Sequence, residues 1–271
     1  MRFAMCNEFC VGWDFPAACR LAAEAGYEGI EIAPFTLSES VLDLDPDDRA
    51  RLRRAARKQG LEVVGLHWLL VKPEGLYINH PDDALRERTR EYMRAQVEFC
   101  ADLGGKVMIV GSPKQRNVLE SETYEATWDR TVEVFKALAP DAAERGVCLC
   151  IEALAPTETN FLNTAREARR LVEAVNHPAF RMMLDVKAMC ADAEPIPDII
   201  RDSAAYLRHF HANDANLGGP GSGDTDFRPI AAALQDVGYE GFVSVEVFDF
   251  SPGPERIARE SIRYLKDVFG N

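Results

Sequence analysis

The chain has 271 residues, a length that suits one α/β barrel domain of about 250 residues with no second domain. Its composition, 47% hydrophobic and 28% charged, is that of an ordinary globular protein, and no apolar run reaches the roughly 18 residues of a membrane span. A formal net charge of −13 argues against a nucleic-acid partner, which needs a basic footprint.

Met1-Arg2-Phe3-Ala4-Met5-Cys6 turns polar too soon for a secretory leader, so a cytoplasmic location is expected. The seven cysteines lack the spacing of a disulfide framework. Cys6, Cys19, Cys100, Cys148 and Cys150 lie in apolar segments and read as small buried hydrophobes.

Short β-rich runs alternate with longer helical ones from end to end. Arg2–Cys6, Gly29–Ile32, Leu61–Leu66, Lys106–Val110, Val147–Ile151, Phe180–Leu184, Leu207–Phe210 and Gly241–Val245 are predicted strands. Pro16–Ala25, Pro46–Gln59, Asp82–Leu103, Ser121–Arg145, Ala165–Val175, Pro197–Ala205, Phe227–Val237 and Pro254–Phe269 are predicted helices. Eight strand–helix pairs predict a parallel sheet closed into a single (β/α)₈ TIM barrel spanning 1–271. No G-x-G-x-x-G follows the first strand, so a dinucleotide fold loses support.

Active sites of such barrels lie at the C-terminal ends of the strands. The residues there are Glu31, His67-Trp68, Glu152, Asp185, His211 and Glu246. The last four come from consecutive strands, at the same relative place in each. Three carboxylates that converge repel one another and force at least one to take up a proton unless a cation joins them. One divalent metal resolves this. A donor set of carboxylates and one imidazole suits Mn²⁺ or Mg²⁺ and accepts Co²⁺ or Zn²⁺. His209, one layer deeper than His211, reads as a buried hydrogen-bonded histidine.

Glu31 and His67 are candidates to bind substrate hydroxyls, and Trp68 to pack on sugar carbons. Lys114, Gln115 and Arg116 follow the fourth strand and are candidates for a polar or phosphorylated substrate. Glu8 and the Phe248-Asp249-Phe250 segment lie near the same mouth.

The runs Ile151-Glu152-Ala153-Leu154, Met183-Leu184-Asp185, His209-Phe210-His211-Ala212-Asn213-Asp214 and Gly238-Tyr239-Glu240-Gly241-Phe242-Val243-Ser244-Val245-Glu246 resemble the xylose-isomerase-like barrel superfamily. Within it, the chain is similar to the sugar epimerase and isomerase branch that includes the ketose 3-epimerases. The resemblance implies that Glu152, Asp185, His211 and Glu246 hold one metal, commonly Mn²⁺, and that Glu152 and Glu246 are also the acid/base pair. Glu158 matches a glutamate that hydrogen-bonds near the first catalytic Glu. The resembled epimerases carry a His three residues after the metal-binding Asp and an Arg six after the metal-binding His. These positions are Ala188 and Leu217 here. Lys187, beside Ala188, is expected to point elsewhere along an extended chain.

The expected activity is therefore that of a metal-dependent sugar isomerase or epimerase. It transfers a proton through a metal-stabilised enediolate, and its partner is a small sugar or keto-sugar. The same parts fit a metal-dependent lyase or dehydratase acting on a keto-sugar or inosose, or a non-catalytic sugar-binding barrel. The superfamily's base-damage endonucleases use three zinc ions and many His ligands. Only His67, His80, His177, His209 and His211 are present here, and His80 and His177 lie away from strand ends. By analogy with the resembled branch, a homo-oligomer is expected.

Overall fold

Each strand of a closed parallel barrel is buried on both faces, one against the helices and one against the barrel interior. That constraint is visible in the computed structural model, which describes residues 1–270. Eight parallel strands close in chain order: β1 (Arg2–Cys6), β2 (Gly29–Ile32), β3 (Glu62–Leu66), β4 (Val107–Val110), β5 (Cys148–Ile151), β6 (Phe180–Asp185), β7 (Leu207–Ala212) and β8 (Phe242–Val245). β8 pairs back onto β1, with Phe3 opposite Val243 and Met5 opposite Val245.

Alternate strand residues sort into two apolar clusters. Phe3, Met5, Leu149, Ile151, Phe210, Val243 and Val245 pack outward under the helices. Ala4, Val64, Val107, Ile109, Cys148, Cys150 and Met183 fill the barrel itself. The period of two therefore carries each strand from an apolar interior layer to the next inward residue at its C-terminal end. On β5 that progression is Cys148, Cys150, Glu152, and on β7 it is His209, His211, Asn213.

The outer helices are α1 (Phe15–Ala25), α2 (Pro46–Lys58), α3 (Asp83–Leu103), α4 (Tyr124–Glu144), α5 (Ala165–Val175), α6 (Val186–Met189), α7 (Ile196–Ser203), α8 (Phe227–Asp236) and α9 (Pro254–Phe269). Local chemistry marks their ends. Asp45 caps α2 in a reciprocal box with Asp48, and Thr164 caps α5 in one with Glu167. Gly26 ends α1 at φ 97, a left-handed conformation that favours a residue without Cβ. Phe3 meets Phe269 edge-on at 5.5 Å, which seats the last helix against the first strand. Among the described residues, no helix is long and apolar enough to cross a membrane.

Two departures from the sequence reading bear on the site. β7 continues through His211 to Ala212, because Phe210 and Ala212 face the helices while the histidines face inward. Between β6 and β7 lie two helices, not one. The first, α6, follows Asp185 directly, and the Asp185 side chain accepts the Ala188 N–H as its N-cap at 2.8 Å. The chain there is therefore helical, where an extended run was expected.

Gly65 sits where β3 pairs with Val107 of β4, and a Cβ at this position would collide with the Val107 carbonyl oxygen. A backbone atom in a closed barrel has nowhere to move. Gly65→Ala is expected to cost about 3 kcal/mol or more in urea unfolding; a midpoint matching the wild type would show that β3 and β4 separate freely.

Candidate active site

The four strand-end residues meet. Glu152 follows β5, Asp185 ends β6, His211 is the penultimate residue of β7 and Glu246 follows β8. One donor atom from each lies within 4.8 Å of the others, and all four residues are buried. The register explains this: Asp185 is opposite His211, and His211 is opposite Ser244, one inward step below Glu246.

Each side chain is held differently. Asp185 is pinned from two sides, by the Ala188 N–H and by the Asn213 amide nitrogen. His211 Nδ1 lies 3.0 Å from Glu246 Oε2, and its Nε2 lies 2.9 Å from Glu31 Oε1. Glu246 Oε1 accepts a 2.7 Å hydrogen bond from the Trp68 indole. Trp68 has φ 52, a strained conformation for a bulky residue, and is stacked between Phe35 at 5.6 Å and Phe248 at 6.0 Å. No donor among the described residues reaches the Glu152 carboxylate. It occupies the space beside Gly111, where any Cβ would collide with Glu152 Oε2.

The electrostatics follow from this crowding. Burial, then Glu246 and Asp185, push the Glu152 carboxyl far above the usual range. Burial, with Glu246 behind it, raises Asp185 to about 6. Burial also works to raise Glu246, but His211 outweighs it and holds the carboxyl low. The cluster thus holds more negative charge than it can keep ionised on its own. Lys187 offsets part of the charge of Asp185, Glu158 and Glu152, and the buried Arg116 part of that of Glu152 and Glu158. A divalent cation in the cluster offsets the remainder, so the donor set fits one.

A cavity of about 460 Å³ opens onto this cluster, lined by Glu152 and Glu246 together with Trp68, Lys114, Gln115, Glu158 and Phe248. A second cavity, about 530 Å³ and lined by residues such as Arg2, Arg53 and Arg208, lies at the opposite end of the barrel, away from all four donors.

Of the residues the sequence assigns to substrate, Trp68, Lys114 and Glu158 line the cavity; Glu31, His67 and Arg116 are placed elsewhere. Glu31 is fully buried beneath the cluster, bonded to His209 at 2.8 Å and to His211. His67 is fully buried and pairs with Glu8 at 3.0 Å. Arg116 is turned back by the short 3-10 turn Pro113–Gln115 and donates to the carbonyls of Glu152 and Val110 at 2.6 and 3.3 Å.

Cys6–Glu31–His67 and Glu31–His209–His211 also bring donor atoms together. Glu31 spends both its oxygens on the two β7 histidines, so this layer orients His211 from below. His209 thus occupies the deeper hydrogen-bonded position expected of it.

Asn213 is a contributor that the sequence reading passes over, and Lys187 one that it points elsewhere. Asn213 was recoverable, because it stands two residues after His211 and so shares its face. Lys187 depends on the helical turn α6. Its Nζ donates to Glu158 Oε1 at 2.7 Å.

Comparison with known proteins places the chain in a family. The sequence profile of the family described as "Xylose isomerase-like TIM barrel" matches residues 19–268. The chain is 36% identical to D-psicose 3-epimerase of Agrobacterium fabrum (strain C58 / ATCC 33970) over 229 residues, 83% of this chain and 76% of that protein. It is 36% identical to D-psicose 3-epimerase of Ruminiclostridium cellulolyticum (strain H10) over 121 residues, 45% of this chain and only 41% of that protein. A crystal structure of D-psicose 3-epimerase determined in the presence of D-fructose superposes with a TM-score of 0.88 at 22% identity, covering 100% of both chains. Fold and sequence thus converge, and the chain belongs to the xylose isomerase-like TIM barrel family, in its ketose 3-epimerase branch.

Proposed function

We propose that this protein is a divalent-metal-dependent epimerase that moves a proton on the carbon beside the carbonyl of a keto-sugar. One observation carries the reading: Glu152 and Glu246 line a single cavity and share a donor cluster with Asp185 and His211. The cation, when bound, offsets the negative charge that develops on the carbonyl oxygen as the neighbouring carbon loses its proton, and Mn²⁺ suits this donor set.

The chain's own residues supply the rest. Glu246 is held in place by Trp68 and His211, and it removes or delivers the carbon-bound proton on its side of the sugar. Glu152, free of hydrogen-bond donors, does so from the β5 side, where Arg116 fixes its backbone. The two exchange roles with the direction of reaction. Trp68 and Phe248 form an aromatic wall for the carbon face of the sugar and limit water at the reacting carbon.

The hydroxyl grips of the resembled ketose 3-epimerases are altered. Ala188 offers no side-chain donor. Leu217 is 46% exposed, and its carbonyl accepts the N–H groups of Phe248 and Asp249 at 2.8 and 2.9 Å. Position 217 therefore supports the Phe248 loop through its backbone. These two changes leave the substrate open within the keto-sugars and make dehydration the reaction to separate by experiment.

Mn²⁺-loaded protein incubated with D-fructose or D-psicose in D₂O is expected to yield an epimer carrying deuterium beside the carbonyl. Glu152→Gln and Glu246→Gln should each lower turnover by about 10²–10⁴-fold. Loss of water without epimer would make the protein a dehydratase, and wild-type turnover by Glu246→Gln would overturn the proton-transfer role.

The raised carboxyl of Asp185 gives a second test. Its folded value, about 6, stands above its ordinary 3.8. The stability it contributes to the metal-free fold is complete below 3.8 and is lost as pH rises through about 6. A bound cation cancels that loss. Saturating Mn²⁺ is expected to raise Tm by roughly 5–10 °C at pH 7.5 and by clearly less at pH 5, reversibly with EDTA. Equal shifts at both pH values, or none, would contradict the site.

A further inference from the structure

Lysine is seldom buried without a partner, and Lys187 is only 9% exposed, behind the cavity-lining Glu158 and Phe248. Its ammonium is held on two sides. Nζ donates to Glu158 Oε1 at 2.7 Å, and it lies 3.9 Å from the centre of the Phe248 ring, over the ring face. The Asn213 side chain accepts the Lys187 backbone N–H at 2.8 Å, so the base of the side chain is fixed as well.

The other half of Glu158 is unsatisfied. Oε2 is buried and has no hydrogen-bond partner, although Glu158 lines the cavity. A buried carboxylate oxygen without a donor is costly, and a ligand hydroxyl placed in the cavity removes that cost. With Ala188 and Leu217 offering no polar side chain, Glu158 Oε2 stands as an acceptor awaiting a donor.

We propose that Lys187 is a specificity-determining positioning residue: it fixes Glu158 so that its free oxygen accepts a substrate hydroxyl, and it holds Phe248 against the carbon face of the same sugar. This rests on the keto-sugar epimerase reading above and narrows the substrate to one that presents a hydroxyl to Glu158 and C–H groups to Phe248. The Phe248 ring also stacks on Trp68, whose indole holds Glu246. Lys187 thereby ties the hydroxyl acceptor, the aromatic wall and one of the two proton-transferring carboxylates into a single rim. A lysine acting only as a strut between the loops after β5 and β6 would affect stability and leave affinity unchanged.

The test compares Mn²⁺-loaded wild type, Lys187→Met, Lys187→Arg, Glu158→Gln and the Lys187→Met/Glu158→Gln double variant. Affinity for D-fructose and D-psicose is measured by calorimetry, epimer formation by kcat and KM, and folding by Tm. Lys187→Met is expected to weaken binding and raise KM about tenfold, with kcat changed less than about threefold. Lys187→Arg should recover most of that loss. The double variant should bind more weakly than Glu158→Gln alone by much less than the Lys187→Met loss, because Lys187 acts mainly through Glu158 and only in part through Phe248.

Wild-type affinity in Lys187→Met, no recovery with Arg, fully additive losses in the double variant, or a wild type that binds neither sugar would each overturn the proposal. Binding without turnover would count against the epimerase reading, and the affinities would still decide the role of Lys187. If Lys187→Met fails to fold, Lys187→Arg and Glu158→Gln carry the comparison, and equal affinity of both with wild type overturns it.

Discussion

Three carboxylates that cannot all remain ionised together are the constraint on which this molecule turns. Glu152, Asp185 and Glu246 converge with His211 in a space that excludes most water, so each raises the cost of charging another. A fold selected for stability alone gains nothing from such a cluster. A divalent cation held there would turn the same repulsion into binding energy, and the barrel supplies the rigidity that keeps the donors from relaxing apart.

That rigidity is built in layers. The lowest interior layer is apolar, with Ala4, Val64, Val107 and Cys148. Above it, Glu31 joins His209 to His211 and so fixes the imidazole from beneath. The top layer holds the donors, and Trp68, Phe248 and Glu158 line the cavity, with Lys187 joining the last two from behind. Each layer leaves the next few alternatives: Trp68 accepts a strained backbone so that its indole reaches Glu246, and Gly111 lacks a side chain so that Glu152 has room.

The barrel and the donor set were legible because a parallel barrel writes both in the same code. Each strand is an apolar run, and the first polar residue after it marks the catalytic end, as with Glu152 after Ile151 and Glu246 after Val245. Depth was not legible. Glu31 and His67 also follow apolar runs, but the register shift between β2 and β3 at Ile30/Glu31 and the inward alternation put them inside the barrel, below the cavity. Arg116 was misplaced because the turn at Pro113–Gln115 folds it back under Glu152. Lys187 was misplaced because Asp185 nucleates a helical turn with its own side chain. In both cases a local turn, invisible to periodicity, decides where a long cationic side chain goes.

The central claim is that one cation is held by Glu152, Asp185, His211 and Glu246. Anomalous diffraction at the manganese edge, from crystals grown with Mn²⁺, tests it most directly. The account predicts a single peak within bonding distance of all four residues. A peak in the layer below, among Glu31, His209 and His211 or beside Cys6 and His67, would contradict it, as would a cavity holding sugar with no peak at all.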